Sequence, residues 1–312
     1  MHKTTKNNNG GRVVKPTLIS TILLGASLNL ATGAYAQPLG IGAGTQGSQN
    51  YTMNTSFAKL LNSELGLNVR VQAYGGSGQS LPLIDMGRLD FQLFPSPDVL
   101  AAEKGEDPFV GKAMKNLRVV ASMGSTAYGL MVRKDSTYHN VSEIKGLSIT
   151  YGYSAQPTLR AQVDGLLAAG GLSIDDMVTD NVPSVPNGAD DFINGSAAVA
   201  FFAVQGGKTR EADANVGIRW LAINDTPEAE DAMKHFVPTS YAMEIFPRGN
   251  VGVAKATPTM GYDYVLTTGA DVPDELVSKI VKFIHDNPDE IRAASRSFAN
   301  FDPNAMAPAS KG

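Results

Sequence analysis

Leu39-Gly40-Ile41-Gly42-Ala43-Gly44-Thr45-Gln46-Gly47-Ser48 decides the fold, because a short apolar strand, Leu39–Ile41, runs into a glycine loop that opens a helix. Beyond the loop Met53, Phe57, Leu60, Leu61 and Leu65 recur at helical spacing and give one apolar stripe, which Gly66 ends. Val69–Ala73 alternates as a strand and runs into a second glycine loop, Tyr74-Gly75-Gly76-Ser77-Gly78. A helix is expected over Leu81–Leu89 and a third strand over Phe91–Phe94, stopped by Pro95-Ser96-Pro97, since proline brings no N–H to a sheet. Strand and helix in alternation imply α/β layering, with parallel strands buried on both faces.

The pattern continues outward. Leu117–Met123 and Tyr128–Val132 are expected as two strands, with a turn at 133–136. A second unit follows: strand Leu147–Tyr151, loop 152–156, and a helix buried through Leu159, Val163, Leu166 and Leu167 and stopped at Gly170-Gly171. Ala198–Val204, Arg219–Ile223 and Tyr262–Thr267 read as further strands, and Leu276, Ile280, Phe283 and Ile284 as the buried face of a helix opened by Pro273. Residues 225–250 give no clear pattern, and the tail after Phe301 is expected to be loose. Two α/β units joined by strands rather than by a Gly/Ser linker imply a hinge with a cleft between lobes.

The amino-terminal segment reads as an export signal. Lys3, Lys6, Arg12 and Lys15 precede a mostly apolar run, Leu18 to Leu30, and Ala34-Tyr35-Ala36 forms an A-x-A cleavage site before Gln37. Polar and glycine interruptions make the run poor for spanning about 30 Å of hydrocarbon. Cleavage after Ala36 leaves 22 basic against 30 acidic residues, a formal charge of −8, which disfavours nucleic acid and anionic membranes as partners. The chain has no cysteine, so disulfides, thiolate metal sites, a Cys nucleophile and a lipoprotein anchor are excluded.

Gly42-Ala43-Gly44-Thr45-Gln46-Gly47 fits G-x-G-x-x-G, yet Ala73-Tyr74-Gly75 stands where a dinucleotide ribose needs an acid. Gly206-Gly207-Lys208-Thr209 ends like a phosphate-binding loop, but Phe202 occupies the place of its first glycine. Gly75-Gly76-Ser77-Gly78-Gln79 lacks the last glycine of a nucleophile elbow. His139, His235 and His285 are scattered, with no metal-binding pairing, so neither a metal nor a cofactor is expected. The collective signal is stronger. Strand-end loops carry Thr45, Gln46, Ser48 and Tyr51, then Tyr74 and Ser77, then Tyr151, Tyr153, Ser154, Gln156 and Thr158. Ligands of open α/β sheets bind outside the carboxyl ends of strands, and helix starts there offer N–H groups to an acid group.

The order and spacing of several blocks resemble the TAXI family of solute-binding proteins, the extracytoplasmic receptors of one branch of TRAP transporters. These blocks include Phe57-Ala58-Lys59-Leu60-Leu61-Asn62, Met86-Gly87-Arg88-Leu89-Asp90, Leu130-Met131-Val132-Arg133-Lys134-Asp135-Ser136 and Ala270-Asp271-Val272-Pro273-Asp274-Glu275-Leu276-Val277. The resemblance implies a two-lobed type II periplasmic binding fold with an interdomain ligand cleft. Lobe 1 would comprise 37–130 and 251–312, and lobe 2 131–250, after a signal peptide over 1–36.

It also implies a monomeric, non-catalytic periplasmic receptor that closes on a small organic anion and delivers it to the membrane permease subunits of a TRAP transporter. That solute would be an amino acid, dicarboxylate, keto acid or aromatic acid. By position Thr45, Ser48 and Tyr51 match the first ligand loop, Ser77 the second, Ser96 the third and Thr158 the start of the lobe 2 helix. Ser154-Ala155-Gln156-Pro157 and Pro95-Ser96-Pro97 depart from the family pattern, and Tyr151, Tyr153 and Phe202 are candidates for an aromatic subsite there. The alternatives are a ligand-sensing module reporting to a receptor and a secreted hydrolase. The latter needs a nucleophile, base and orienting group, which three scattered histidines do not supply.

Overall fold

In the computed structural model, which describes residues 38–307, the first strand β1 (Leu39–Ala43) is buried along its whole length and α1 (Gln49–Leu65) follows it. Met53, Phe57, Ala58 and Leu61 form the buried stripe of α1, and Gly66 ends the helix at φ 63°, where a side chain would be strained. Then come β2 (Val69–Ala73), α2 (Ser77–Asp85), β3 (Phe91–Pro95) and α3 (Ser96–Lys104). The loop expected through Gly78 is shorter than the sequence suggested, because Ser77 already begins α2.

A long strand, β4 (Leu117–Arg133), leads to β5 (Ser148–Gly152), α4 (Leu159–Ala169), β6 (Val178–Val182), α5 (Val185–Asn194), β7 (Ala200–Ala203), α6 (Gly207–Val216) and β8 (Ile218–Trp220). The stretch without a clear pattern contains α7 (Pro227–Phe236) and β9 (Tyr241–Ile245). A second long strand, β10 (Thr257–Gly269), precedes α8 (Asp274–Asp286) and α9 (Pro288–Ala294).

The long strands organise the molecule. Through its carboxyl half β10 lies antiparallel between β3 and β4, giving the order β2-β1-β3-β10-β4. Through its amino half β10 pairs with β9, while the carboxyl half of β4 pairs with β7 and β8. β5 and β6 form a parallel pair, joined to the rest through a bridge between Ile149 and Val199. One sheet therefore passes through both lobes, and β4 and β10 are the strands shared at the waist.

Two expectations are corrected. The segments Leu117–Met123 and Tyr128–Val132 are one strand of 17 residues, because Gly124, at φ 102°, carries the backbone across a break in register instead of ending the strand. The tail after Phe301 is tied down as far as Met306: its carbonyl accepts a 2.7 Å hydrogen bond from the Ser122 amide, and Arg292 Nε bonds the Phe301 carbonyl. The expected export signal and the last residues of the tail lie outside the described residues. No helix among the described residues is long and apolar enough to cross a membrane.

Candidate ligand-binding site

A cavity of about 50 Å³ lies at the waist, walled by elements from distant parts of the chain. That is room for a few waters or a compact chemical group. The amino-terminal elements contribute Ser48 and Gln49 at the start of α1, Ser77 from α2, Gln92 from β3 and Asp98 from α3. The middle of the chain contributes Gln156, Thr158, Phe202 and Val185, and the long strands contribute Tyr128, Tyr262 and Tyr264.

Strand alternation places the tyrosines. Tyr262 and Tyr264 are two apart on β10 and share a face, while Asp263 between them points the other way, to Ser125 and Tyr241. Tyr128 stacks on Tyr262 with ring centroids 4.8 Å apart, and its hydroxyl lies 2.8 Å from that of Tyr264. The Tyr262 hydroxyl donates to Gln162 Oε1 at 2.9 Å. Burial pushes the Tyr128 phenol up to about 12, and the Tyr262 and Tyr264 phenols also rise, so all three stay neutral.

Asp98 is the one ionisable carboxyl in the wall, and it is 3 % exposed. Burial raises its carboxyl to about 6, against the lowering pull of hydrogen bonds from Ser77 and Thr158. Thr158 makes no capping bond at the start of α4, which leaves its hydroxyl for Asp98. Asp98 lies on α3 and Thr158 opens α4, so this bond ties distant parts of the chain together at the cavity. The Ser96 to Thr239 hydroxyl bond at 3.1 Å and the Arg160 to Asp107 ion pair at 3.2 Å also join distant parts of the chain. No Lys, Arg or His lines the cavity.

Among the residues singled out from the sequence, Ser48, Ser77, Gln156, Thr158 and Phe202 come together in this wall. Ser48 also caps α1 by accepting from the Tyr51 amide, and Gln156 accepts from the Val185 amide at 2.8 Å. The others face elsewhere. Thr45 donates to the Gly75 carbonyl, Gln46 is exposed, Tyr51 stands half-buried on α1, and Ser96 is engaged with Thr239. Tyr151 bonds Asp164, and Ser154 lies beside a separate surface hollow. Tyr153 is fully buried, bonded to Thr150 and edge-on to Phe201.

Asp98, Gln49, Gln92 and the three tyrosines were missed. An acid in the first turn of a helix reads as dipole complement, and tyrosines inside strands read as core. The i, i+2 spacing of Tyr262 and Tyr264 was the available signal.

The failed motifs have structural roles. A side chain at Gly206 would strike the Phe202 ring at 2.3 Å, and Lys208 is paired with Asp190 and Glu211. In the glycine loop after β1 the Gly44 amide is already donated to Asn50 Oδ1 at 2.8 Å. Among the described residues no three His, Cys, Asp or Glu are grouped to hold a metal.

A two-lobed α/β body with strands shared at the waist and an enclosed polar and aromatic cavity there defines the fold class of the periplasmic solute-binding proteins. The chain belongs to the NMT1-like family, whose model matches residues 41–310.

Solved structures of the same fold are distant in sequence. One titled as a periplasmic transporter aligns with a TM-score of 0.58 at 14% identity, covering 89% of this chain and 90% of the other. The alkanesulfonate-binding protein SsuA from Xanthomonas axonopodis pv. citri, bound to MOPS, gives 0.54 at 15% identity over 89% of each chain. The substrate-binding protein of an amino acid ABC transporter gives 0.52 at 10% identity, covering 84% of this chain and all of the other.

Proposed function

We propose that the protein is an extracytoplasmic receptor that closes its lobes, divided at 37–130 with 251–312 and 131–250, on a small solute and presents it to a membrane permease. The observation that carries this reading is the enclosed cavity at the waist, whose wall is drawn from both lobes and from the strands that join them. Opening would separate Thr158 from Asp98 and expose the wall, so solute and closure stabilise each other. The wall pairs the Ser77 hydroxyl with the Asp98 carboxyl but holds no His or Lys beside them, and we read it as a binding site without turnover.

The resemblance in sequence favours a TRAP-type permease. The amino acid and alkanesulfonate receptors of similar fold favour an ABC-type one. Co-purification of the protein with its permease from native membranes, identified by mass spectrometry, decides between them. For an acid solute, the wall offers the hydroxyl of Ser48 but no cationic side chain, since the hydroxyls of Ser77 and Thr158 are given to Asp98.

Native mass spectrometry of protein taken from its own periplasm, followed by small-angle scattering with and without the solute found, tests the receptor reading. A bound, unmodified solute and a more compact solution shape on binding support it. Turnover of the solute, or no solute together with no change of shape across a broad metabolite extract, would overturn it.

A further inference from the structure

Resting on the receptor reading, we propose that the charge this cavity recognises is positive: a compact cationic nitrogen seated between the Asp98 carboxylate and the aromatic rings of the wall. Three independent observations meet there. The first is charge. Asp98 is enclosed, its bonds come from the neutral hydroxyls of Ser77 and Thr158, and no basic residue lines the cavity. A carboxylate out of water needs a counter-charge, and here the protein wall supplies none.

The second is the rings. Tyr128, Tyr262, Tyr264 and Phe202 enclose the same space. The faces of aromatic rings attract cations and repel anions, and the attraction grows where water is excluded.

The third is hydrogen-bond polarity. Gln49 lines the cavity, and its buried Oε1 has no partner. Its Nε2 faces Met53 Sδ and Thr126 Oγ1, which leaves Oε1 on the unpartnered side. The unmet group is an acceptor, as a ligand that donates requires. An anion would meet a carboxylate, a wall of aromatic rings and an unpaired amide oxygen. The Gly44 amide that would have served it is already taken by Asn50.

The test is calorimetric titration of the purified full chain with six probes: tetramethylammonium, propylammonium and choline as cations, 3,3-dimethyl-1-butanol as the uncharged isostere of choline, and propionate and propane-1-sulfonate as anions. At least one cation is expected to bind, choline more tightly than its isostere, and neither anion. Asp98→Asn is expected to weaken the cation by about 30-fold or more, the usual scale for losing a buried charge partner. Phe202→Leu, which keeps the apolar filling and removes a ring face, is expected to weaken it by about five-fold.

Binding of an anion that persists in Asp98→Asn, or no response to any of the three cations, overturns the proposal. Anion binding leaves the receptor reading standing. The periplasmic mass spectrometry above fails separately.

Discussion

The Ser77 hydroxyl donates to Oδ2 of Asp98, joining the first residue of α2 to the third of α3 inside the waist cavity. Ser77→Ala removes one of the two hydroxyls holding that carboxyl. Its loss is expected to weaken solute binding by about five- to ten-fold, the worth of one ordinary hydrogen bond. Thr158→Ala should do the same and also speed release, because its bond spans the proposed lobes. Ser154→Ala, which alters a different surface hollow, should leave affinity unchanged. Titration of all three with whichever solute is found checks this set.

Asp98 makes stability depend on pH. Its folded value, about 6, lies above the ordinary 3.8, so the folded protein holds a proton that the unfolded chain has already lost. Stability should therefore fall as pH rises from about 4 to 6 and level off above. The loss attributable to this one group is at most roughly 3 kcal/mol. Urea denaturation at pH 4.5 and 7.5 should show the decrease reduced by about 2 kcal/mol in Asp98→Asn. An equal decrease in both proteins would remove Asp98 as its source.

Gly124 combines a positive φ with crowding: a Cβ there would lie 3.1 Å from the Phe301 amide nitrogen and 3.2 Å from the Asn300 carbonyl carbon. Both contacts are backbone and yield little. Gly124→Ala is expected to cost about 2 kcal/mol or more, seen as a melting temperature lower by several degrees. A melting curve unchanged within a degree would show that the strand re-forms without this conformation.

The Arg160–Asp107 pair joins distant parts of the chain but is well exposed on both sides. Arg160→Ala should therefore change unfolding stability by less than about 1 kcal/mol. Its effect on solute release should be a few-fold at low salt and vanish near 1 M salt, where charges are screened within about 3 Å. Stopped-flow release rates at two salt concentrations measure it.

Where a local pattern decided the structure, the chain could be read directly. The stripe through Met53, Phe57 and Leu61 with its Gly66 stop placed α1 on the sheet, and the glycine loops after β1 and β2 marked the end of the sheet where the cavity opens. The continuity of β4 was hidden, because Gly124-Ser125-Thr126 looks like punctuation until β10 pairs across it from more than a hundred residues away. Asp98 was hidden for a similar reason. Its partner Thr158 and the tyrosines that share its cavity come from distant elements, and an isolated acid early in a helix has an ordinary explanation. Hydroxyl residues at strand ends included the contributors Ser48, Ser77 and Thr158, but only packing separates these from Thr45 and Ser96, whose bonds are spent within the scaffold.

The position of β10 governs how the chain assembles. The strand that sits between β3 and β4 is made from residues 257–269, so a polypeptide emerging from its amino end lacks the middle of its first lobe until most of its length is out. Pairing over such separation is slow. During that interval the unfinished sheet has two unzipped edges, one on β3 and one on β4.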